Sequence, residues 1–493
     1  MNMNMNPGWR LPRPFSQLTI LNRHNQNIRH RFPFTPKTSH HRRVSPSPSL
    51  FRCLHAMTDS SDVPMEDIYH PEVDVEYLED YVPGGYHPTL IGNTFSSGRY
   101  TVVHKLGFGG YSTIWLAWDE QRRRYVSLKI LTARASPDSH EGDVLHYLMK
   151  SNLSHAGKRF IPPLLDQFWF HGPNGYHQCL VGEPAGGSIA KSKEDSTNFM
   201  FPLDAARSTA AQLLLGLSYL HANGICHGDL HLRNFLLRIP DLDGLSIPEL
   251  YQRFGKPYEV PIRRVDRKPG EPHAPPHAIY PMSLSIPANE VDDPEIIISD
   301  YGTSFIVSQT PLPTLYTPAL YSPPEDFFNE PITQPIAADI WTLGVNLYEV
   351  LGERPLFETF AWDRDDIVAE IINTLGQPPV RWWKSWAKRS EFFEEDGSWV
   401  ADFRRISTPV FRRLRQRLWD MGRGETELTC EWDIAGGELR ALEDMLRAMM
   451  AFEPAERPTA DQLLRSEYMI KWALPAWERQ RRQKRADSIA EEQ

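Results

Sequence analysis

The sequence has few cysteines and no long apolar run. Its four cysteines are scattered without CxxC spacing, so neither a zinc site nor a disulfide framework is indicated, and a reducing compartment is expected. No apolar run approaches the ~20 residues that a membrane-spanning helix needs, so we expect no transmembrane helix and no membrane partner. With 41% hydrophobic and 24% charged residues among 493, the composition is that of a soluble globular protein.

Acidic residues are absent from positions 1–58, although nine Lys and Arg residues lie there. The rest of the chain therefore holds 44 basic and 63 acidic residues, a balance of −19. A body with this charge attracts basic partners and repels the phosphate backbone of nucleic acid. We therefore expect basic protein partners and no direct binding of nucleic acid.

Residues 1–65 are rich in Asn, Pro, Ser, Arg and His without sustained periodicity, which predicts a disordered basic extension. An Arg-rich segment without acids is also typical of a mitochondrial transit peptide, although its prolines break up any amphipathic helix. A third interpretation is translation from Met57, with an over-long gene model before it. We expect a cytoplasmic or nuclear protein, with mitochondrial import as the alternative.

A cluster of glycines separates two strand-like runs, TVVHKL and TIWLAW. Gly107, Gly109 and Gly110 allow a tight hairpin whose backbone N–H groups can lie over phosphate oxygens, where a side chain would obstruct the approach. A plain hairpin turn explains the same residues. The cluster therefore needs support from the rest of the chain before it indicates a nucleotide site.

A lysine and a glutamate downstream give that support. Lys129 lies among apolar neighbours in the alternating strand YVSLKI, where a cation either extends to solvent or binds a phosphate group. Glu141 precedes Leu145 and Leu148 at helical spacing, which places it on the inward face of the next helix. This spacing predicts an ion pair between Lys129 and Glu141.

The loop HGDLHLRN, residues 227–234, carries an acid and an amide five positions apart. Phosphoryl transfer requires such a pair: Asp229 to accept a proton from the attacking hydroxyl, and Asn234 to hold a metal ion on the phosphates. Asp and Asn are also common as caps and turn formers, so the loop alone leaves both interpretations open.

A second acid follows the apolar run 296–298, which predicts a buried strand. Asp300 stands sixty-six residues after Asn234, and the pattern Asp300-Tyr301-Gly302 predicts a Mg²⁺ ligand with an aromatic ring packed beneath it. The intervening segment, 239–294, holds eleven prolines. We predict a surface or flexible loop there, with a short helix at IPELYQRFG.

In this order, the motifs resemble those of a eukaryotic protein kinase, and more narrowly of the SR protein kinases, especially their divergent fungal members. The narrower resemblance rests on GGYHPTLIG, on GRYTVVHKLG, and on LGFGGYSTIWLA with Ser112 in place of a third glycine. It implies an α+β, two-lobed fold with ATP between the lobes: a small antiparallel β-sheet lobe and a large, mainly helical lobe. The implied segments are a lead-in at 66–98, the small lobe at 99–182, the large lobe at 183–472 with inserts at 239–294 and 371–429, and a charged tail at 473–493.

The resemblance also implies the roles of individual residues in a serine/threonine kinase that uses ATP and Mg²⁺. Asp229 would be the catalytic base, Lys129 and Glu141 would position ATP, and Asn234 and Asp300 would bind the metal. The segment CLVGEPAGG, residues 179–187, matches the hinge, where Gly182 as gatekeeper would leave a cavity behind the adenine. The residues implied to contact the nucleotide are Leu106, Gly107, Phe108, Gly109, Gly110, Tyr111, Ser112, Ile114, Lys129, Glu183 and Ala185.

Three positions depart from the usual kinase pattern. Gly228 replaces the arginine that pairs with a phosphorylated activation segment, so control by that phosphorylation is not expected. His231 replaces a catalytic lysine, which predicts reduced turnover with an unusual dependence below neutral pH. Ser322 stands where related kinases carry an arginine, so their preference for the residue that follows the target serine is not carried over to this chain. The HGDLHLRN loop also resembles that of aminoglycoside phosphotransferases and choline kinases.

Further implied features are structural. Glu325 is expected to pair with Arg457, and Asp339 to brace the backbone of the catalytic loop. Trp382, Trp383 and Trp386 are predicted as core residues. An acidic group near them could form a docking groove for Arg-Ser substrates or a solvated face: Glu391, Glu394, Glu395 and Asp396, followed by Arg404, Arg405, Arg412 and Arg413.

Three functions remain open on the sequence. The first is an active kinase on proteins rich in Arg and Ser, acting as a monomer because no homodimer signal is visible. The second is a pseudokinase that binds ATP as an interaction protein, motivated by Gly228, His231 and Ser322. The third is a small-molecule phosphotransferase, motivated by the HGDLHLRN loop alone.

Overall fold

The computed structural model describes residues 68–239, 242–270, 272–358, 363–400 and 412–491, with side chains described to residue 486. The predicted basic extension, 1–65, lies outside this part of the chain, as do Arg404 and Arg405. Among the described helices, none is both long and apolar enough to cross a membrane.

A six-stranded antiparallel sheet forms the small lobe. Its elements are β1 (Thr94–Phe95), β2 (Tyr100–Gly109), β3 (Ser112–Asp119), β4 (Arg124–Leu131), helix α1 (Glu141–Lys150), β5 (Asp166–Gly172) and β6 (Gly175–Gly182). The strand order is β1-β2-β3-β4-β6-β5. Residues alternate along β4: Val126, Leu128 and Ile130 are buried in one apolar cluster, and the intervening Ser127 and Lys129 face the other way.

The large lobe is mainly helical and is built around two buried helices. Its helices are α2 (Ile189–Asp195), α3 (Leu203–Ala222), α4 (Ile247–Phe254), α5 (Pro324–Phe327), α6 (Pro335–Leu351), α7 (Arg364–Leu375), α8 (Val380–Ser385), α9 (Leu414–Trp419), α10 (Glu438–Met449), α11 (Ala460–Leu463) and α12 (Leu474–Glu491). Most residues of α3 and α6 are buried, since both helices are apolar around most of their circumference. The predicted α+β, two-lobed fold is confirmed.

Two pairs of short strands hold the two acid-bearing loops side by side, and a third pair lies within the insert. The six strands are β7 (Ile225–Cys226), β8 (Phe235–Leu237), β9 (Glu259–Pro261), β10 (His277–Ile279), β11 (Ile296–Ile298) and β12 (Phe305–Ile306). The antiparallel pairs are β7 with β12, β8 with β11, and β9 with β10. The catalytic loop between β7 and β8 therefore lies against the loop between β11 and β12, which carries Asp300.

The insert at 239–294 corrects our prediction of a surface or flexible loop. It contains the predicted helix, α4, but also the hairpin β9–β10 and several buried apolar residues. Leu242, Leu250 and Met282 form one buried cluster with Val103 and Leu116 of the small lobe. The Met282 N–H also donates to the Lys105 carbonyl at 2.9 Å. The insert thus enlarges the core of the small lobe, which a proline-rich composition does not reveal.

The segments at both ends of the kinase-like region are also packed. The lead-in forms a cluster of Tyr69, Val75, Leu78, Tyr81 and Tyr86 with Ala278 of the insert. The predicted tail begins inside continuous helix, and Trp477 of α12 lies against Phe160 with ring centroids 6.0 Å apart. Both segments therefore belong to the folded part of the chain.

Candidate active site

A buried carboxylate on α6 fixes the catalytic loop from below. Asp339 is 2% exposed, and it accepts hydrogen bonds from the His227 N–H at 2.8 Å and the Gly228 N–H at 3.0 Å. His221 Nε2 lies 3.1 Å from the same carboxylate. Burial would raise the pKa of Asp339, but the histidines and backbone donors lower it below its ordinary value. The predicted brace is therefore present as a charged group.

Asp229 and Asn234 meet at the mouth of this loop. Asn234 Nδ2 donates to the Asp229 carbonyl at 2.9 Å and lies 3.4 Å from Asp229 Oδ2. The Ser299 N–H and hydroxyl both donate to the Asn234 carbonyl, each at 2.9 Å, which ties the loop to the one carrying Asp300. Asp229 Oδ1 is a buried atom that forms no hydrogen bond among the described residues. Asn234 thus holds the carboxylate through Oδ2 and leaves Oδ1 without a hydrogen bond.

His231 lies beside the free oxygen of Asp229. Its Nε2 is 3.5 Å from Asp229 Oδ1, and its Nδ1 accepts a hydrogen bond from the Arg233 N–H at 3.2 Å. Because Nδ1 is an acceptor, this hydrogen-bond pattern assigns the proton of the neutral ring to Nε2. The histidine that replaces the usual lysine therefore presents an N–H next to the proposed base.

Lys129 connects the two lobes through two carboxylates. Its ammonium lies 2.6 Å from Glu141 Oε2 and 2.9 Å from Asp300 Oδ1, so the predicted ion pair is present together with a second one. Burial opposes the charge on Lys129, but Asp300 and Glu141 together raise its pKa above the ordinary value. In turn, Lys129 lowers the pKa of Asp300 to about 2. Lys129 and Asp300 therefore keep their charges at neutral pH, whereas burial raises the pKa of Glu141.

Asp300 is held in an unusual backbone conformation with its carboxylate half-exposed. Its φ is +65°, in the left-handed region that residues other than glycine seldom adopt. Its side chain is 48% exposed, in contrast to the 6% of Glu141. Tyr301 is fully buried beneath it and lies 5.2 Å from the His227 ring. The conformation thus directs one carboxylate outward from an otherwise buried turn.

The glycine hairpin, residues 107–111, is open to space on its upper side. A Cβ built on Gly107, Gly109 or Gly110 meets no atom within 4 Å, and Phe108 and Tyr111 are exposed. The chain's own packing therefore leaves room for a ligand beside all three glycines. A hydrogen bond that the sequence did not predict anchors the hairpin: the Tyr86 hydroxyl donates to the Gly109 carbonyl at 2.7 Å.

A second residue that the sequence analysis missed lies on β4, beside the hinge. Ser127 pairs with Gly182 across β4 and β6, and its hydroxyl donates to the Glu183 carbonyl at 3.2 Å. A Cβ added to Gly182 would lie 3.2 Å from Ser127 Oγ, so this hydroxyl narrows the space predicted behind the adenine. The signal was its position, two residues before Lys129 on the same face of a strand.

Hydrogen bonds from hydroxyl groups hold the activation segment against the catalytic loop. Gly228 has a φ of +78°, a conformation that suits glycine. Its carbonyl accepts a hydrogen bond from the Thr317 hydroxyl at 2.9 Å, and the His227 carbonyl accepts one from the Ser304 hydroxyl at 2.9 Å. Ser322 is buried and donates to the Thr317 carbonyl at 2.9 Å.

The remaining predicted residues lie away from the reacting groups. Arg457 binds Glu325 through two hydrogen bonds of 2.8 and 2.6 Å, the expected buried pair. Trp382, Trp383 and Trp386 are buried, as predicted for core residues. The acids predicted for a groove, Glu391, Glu394, Glu395 and Asp396, are exposed on the surface.

Comparisons with known proteins agree with this geometry. The protein kinase domain family matches residues 100–245 and 288–469, leaving out most of the insert. A solved structure of a kinase domain superimposes with a TM-score of 0.52 at 18% identity, covering 77% of this chain and 98% of that one. At that identity the likeness speaks for the fold alone.

Curated relatives are kinases of the SR protein kinase type. Protein kinase dsk1 of Schizosaccharomyces pombe is 40% identical over 175 residues, 35% of this chain and 32% of its own length. SRSF protein kinase 3 of Homo sapiens is 39% identical over 167 residues, which are 33% of this chain and 29% of that protein. The serine/threonine-protein kinase SRPK of Physarum polycephalum is 29% identical over 412 residues, which are 80% of this chain and 91% of that protein. The aligned segment thus spans about one third of the length of dsk1 and of SRSF protein kinase 3, and most of the length of the Physarum kinase.

Proposed function

This chain belongs to the protein kinase family, and from that premise we propose that it transfers the γ-phosphate of ATP to serine and threonine hydroxyls of Arg/Ser-rich proteins. The observation that carries the proposal is the Lys129 ammonium, which bridges Glu141 at 2.6 Å and Asp300 at 2.9 Å. That bridge aligns the phosphate-binding lysine with a metal-binding acid across the cleft.

The residues of the cleft fit ATP and magnesium. Open space beside the three glycines of the hairpin suits phosphate oxygens. The Asp300 carboxylate is half-exposed, and donation by Asn234 Nδ2 leaves the amide oxygen as a ligand. Magnesium held by Asp300 and Asn234 would neutralise charge that develops on the phosphates.

The proton of the attacking hydroxyl has an acceptor in place. As the substrate oxygen forms its bond to the γ-phosphorus, the bond from that phosphorus to the bridging oxygen breaks, and ADP leaves with the electron pair. The Asp229 carboxylate takes the proton. The Nε2–H of His231 stands beside it to donate to the transferred group.

The substrate class rests on charge and on the relatives. The balance of −19 after position 58 favours basic segments, and the relatives include SRSF protein kinase 3 and the serine/threonine-protein kinase SRPK. Both observations support Arg/Ser-rich proteins as substrates of this chain.

The test is transfer of labelled phosphate by the full chain to four acceptors: an Arg-Ser peptide, a serine peptide without arginine, choline and an aminoglycoside. We expect rapid labelling of the Arg-Ser peptide and slower labelling of the other peptide. Labelling of choline or the aminoglycoside alone would assign the chain to small-molecule phosphotransferases. Binding of ATP without transfer to any acceptor would assign it to the pseudokinases.

A further inference from the structure

The segment Gly84-Gly85-Tyr86-His87 has no role in the chemistry proposed above, yet it touches the nucleotide half of the cleft at three places. Its tyrosine is 2% exposed and packs beside Tyr81, with ring centroids 5.6 Å apart. Its hydroxyl reaches twenty-three positions along the chain to the Gly109 carbonyl at 2.7 Å. We propose that Tyr86 is a positioning residue, which sets the glycine hairpin over the phosphates of the nucleotide.

The bond to Gly109 fixes the direction of a backbone donor. A peptide group is planar and trans, so the carbonyl of Gly109 and the N–H of Gly110 point in opposite directions. By holding the carbonyl, Tyr86 also orients the N–H of Gly110. A Cβ built on any of the three glycines meets no atom within 4 Å, so no side chain packs against that side of the hairpin. The Tyr86 hydroxyl therefore adds a restraint from outside the hairpin to the one that the pairing of β2 with β3 supplies.

The segment is rigid enough to transmit this restraint. A Cβ on Gly85 would lie 1.7 Å from the Asp80 carbonyl oxygen, and Gly84 has a φ of +89°, so neither position accepts a larger residue without strain. The side chain of the buried Asn174 donates from Nδ2 to the Tyr86 carbonyl. The backbone carbonyl of Asn174 accepts a hydrogen bond from the Gly84 N–H at 2.7 Å. Tyr86 is thus fixed at its backbone as well as its ring.

The same segment also supports the strand end that leads to the helix of Glu141. The carbonyls of Gly84 and Gly85 accept hydrogen bonds from the Arg134 N–H at 2.7 Å and the Ala133 N–H at 3.1 Å. Just before them, the Thr132 N–H donates to the Tyr111 carbonyl of the hairpin at 2.8 Å. The hairpin is therefore bound by Tyr86 directly, at Gly109, and by Thr132, at Tyr111, and the residues that follow Thr132 are bound to Gly84 and Gly85.

The inference rests on the proposed function, and binding measurements separate the two. MgADP and adenosine are titrated calorimetrically into the full chain and into Tyr86→Phe, which keeps the ring. Because the hairpin covers phosphates, we expect the affinity for MgADP to fall about five-fold, as for the loss of one hydrogen bond. The affinity for adenosine should stay unchanged. In peptide assays, KM for ATP should rise while kcat changes little.

Tyr125→Phe is the matched control. Tyr125 is a buried tyrosine of the same lobe whose hydroxyl donates to the Leu245 carbonyl at 3.0 Å, away from the hairpin. It should leave both affinities unchanged. Hydrogen exchange of residues 105–112 should become faster in Tyr86→Phe and not in Tyr125→Phe, with or without nucleotide.

Equal weakening of MgADP and adenosine, no change in either, or unchanged exchange in the hairpin would overturn the role of Tyr86. A wild-type chain that binds MgADP with these differences but transfers no phosphate would instead overturn the proposed function and retain the positioning role.

Discussion

The catalytic loop and the glycine hairpin face the same cleft but are held by different means. The catalytic loop rests on a buried carboxylate that accepts two backbone hydrogen bonds, and its Asn234 carbonyl accepts two more from Ser299. The hairpin is anchored by the Tyr86 hydroxyl and the Thr132 N–H, with open space beside its glycines. A charged brace thus secures one side and neutral hydrogen bonds secure the other.

The difference follows from what each part has to do. A base and a metal ligand must keep positions within fractions of an ångström, which buried, charge-assisted hydrogen bonds provide. A cover over the nucleotide must open for exchange, so weaker neutral bonds suit it. Changes at the catalytic loop should therefore affect kcat most, and changes at the nucleotide half should affect affinity and inhibitor selectivity.

Removing the brace should give the largest effect. In Asp339→Ala, two backbone N–H groups of the loop lose their acceptor, so we expect kcat to fall about 100-fold and the free energy of unfolding to fall by about 3 kcal/mol. Steady-state kinetics and denaturant unfolding measure both. Asp119→Ala, which removes another buried carboxylate in the small lobe, should reduce stability with little change in kcat per folded molecule. Similar losses of kcat in Asp339→Ala and Asp119→Ala would show that Asp339 has no special role in holding the catalytic loop.

The nucleotide half should respond through inhibitor selectivity. Purine analogues with a bulky group directed at Gly182 should inhibit the wild-type enzyme, and Gly182→Phe should raise their inhibition constants at least ten-fold. A Cβ built on Gly182 lies 3.2 Å from Ser127 Oγ. Ser127→Ala, in a chain that keeps Gly182, should therefore lower the inhibition constants of these analogues. Equal inhibition of all forms would show that Gly182 does not line the adenine pocket.

The substitution at position 231 should give a smaller change. His231→Lys adds a permanent positive charge beside Asp229, so we expect kcat to rise about five-fold at pH 8. His231→Gln, which keeps a neutral donor, should give a kcat close to that of the wild type. Steady-state kinetics with an Arg-Ser peptide measure both values. Equal kcat values for all three proteins would contradict a role of position 231 in the transfer step.

The smallest effect should appear in acid stability near the anchor of the hairpin. Burial lowers the pKa of His87 to about 3, with a further contribution from His177. The unfolded chain binds a proton at His87 below about pH 6.5 that the folded chain does not, so stability should fall as pH drops, by at most about 1.4 kcal/mol per unit. His87→Phe should lessen the decrease in melting temperature between pH 7 and pH 5. If the melting temperature of the variant falls as much as that of the wild type, protonation of His87 is not the cause.

Residues with local spacing were predictable, and long-range partners were not. Asp229 and Asn234 share one loop, and the Lys129–Glu141 pair follows from a strand and the next helix, so their arrangement is present in the fold. Leu242, Leu250 and Met282 are spread among prolines, and their partners lie more than a hundred positions away. No periodicity marks such residues, and for the same reason the bond from Tyr86 to Gly109 became visible only in three dimensions.

The most direct measurement is the initial rate of phosphate transfer from ATP to an Arg-Ser peptide by the full chain after phosphatase treatment, beside Asp229→Asn. We predict transfer without prior phosphorylation of the activation segment, and a loss of about 10³-fold in kcat in the variant while MgADP affinity is kept. A treated enzyme that binds MgADP and transfers nothing, or an Asp229→Asn variant as active as the wild type, would contradict the account.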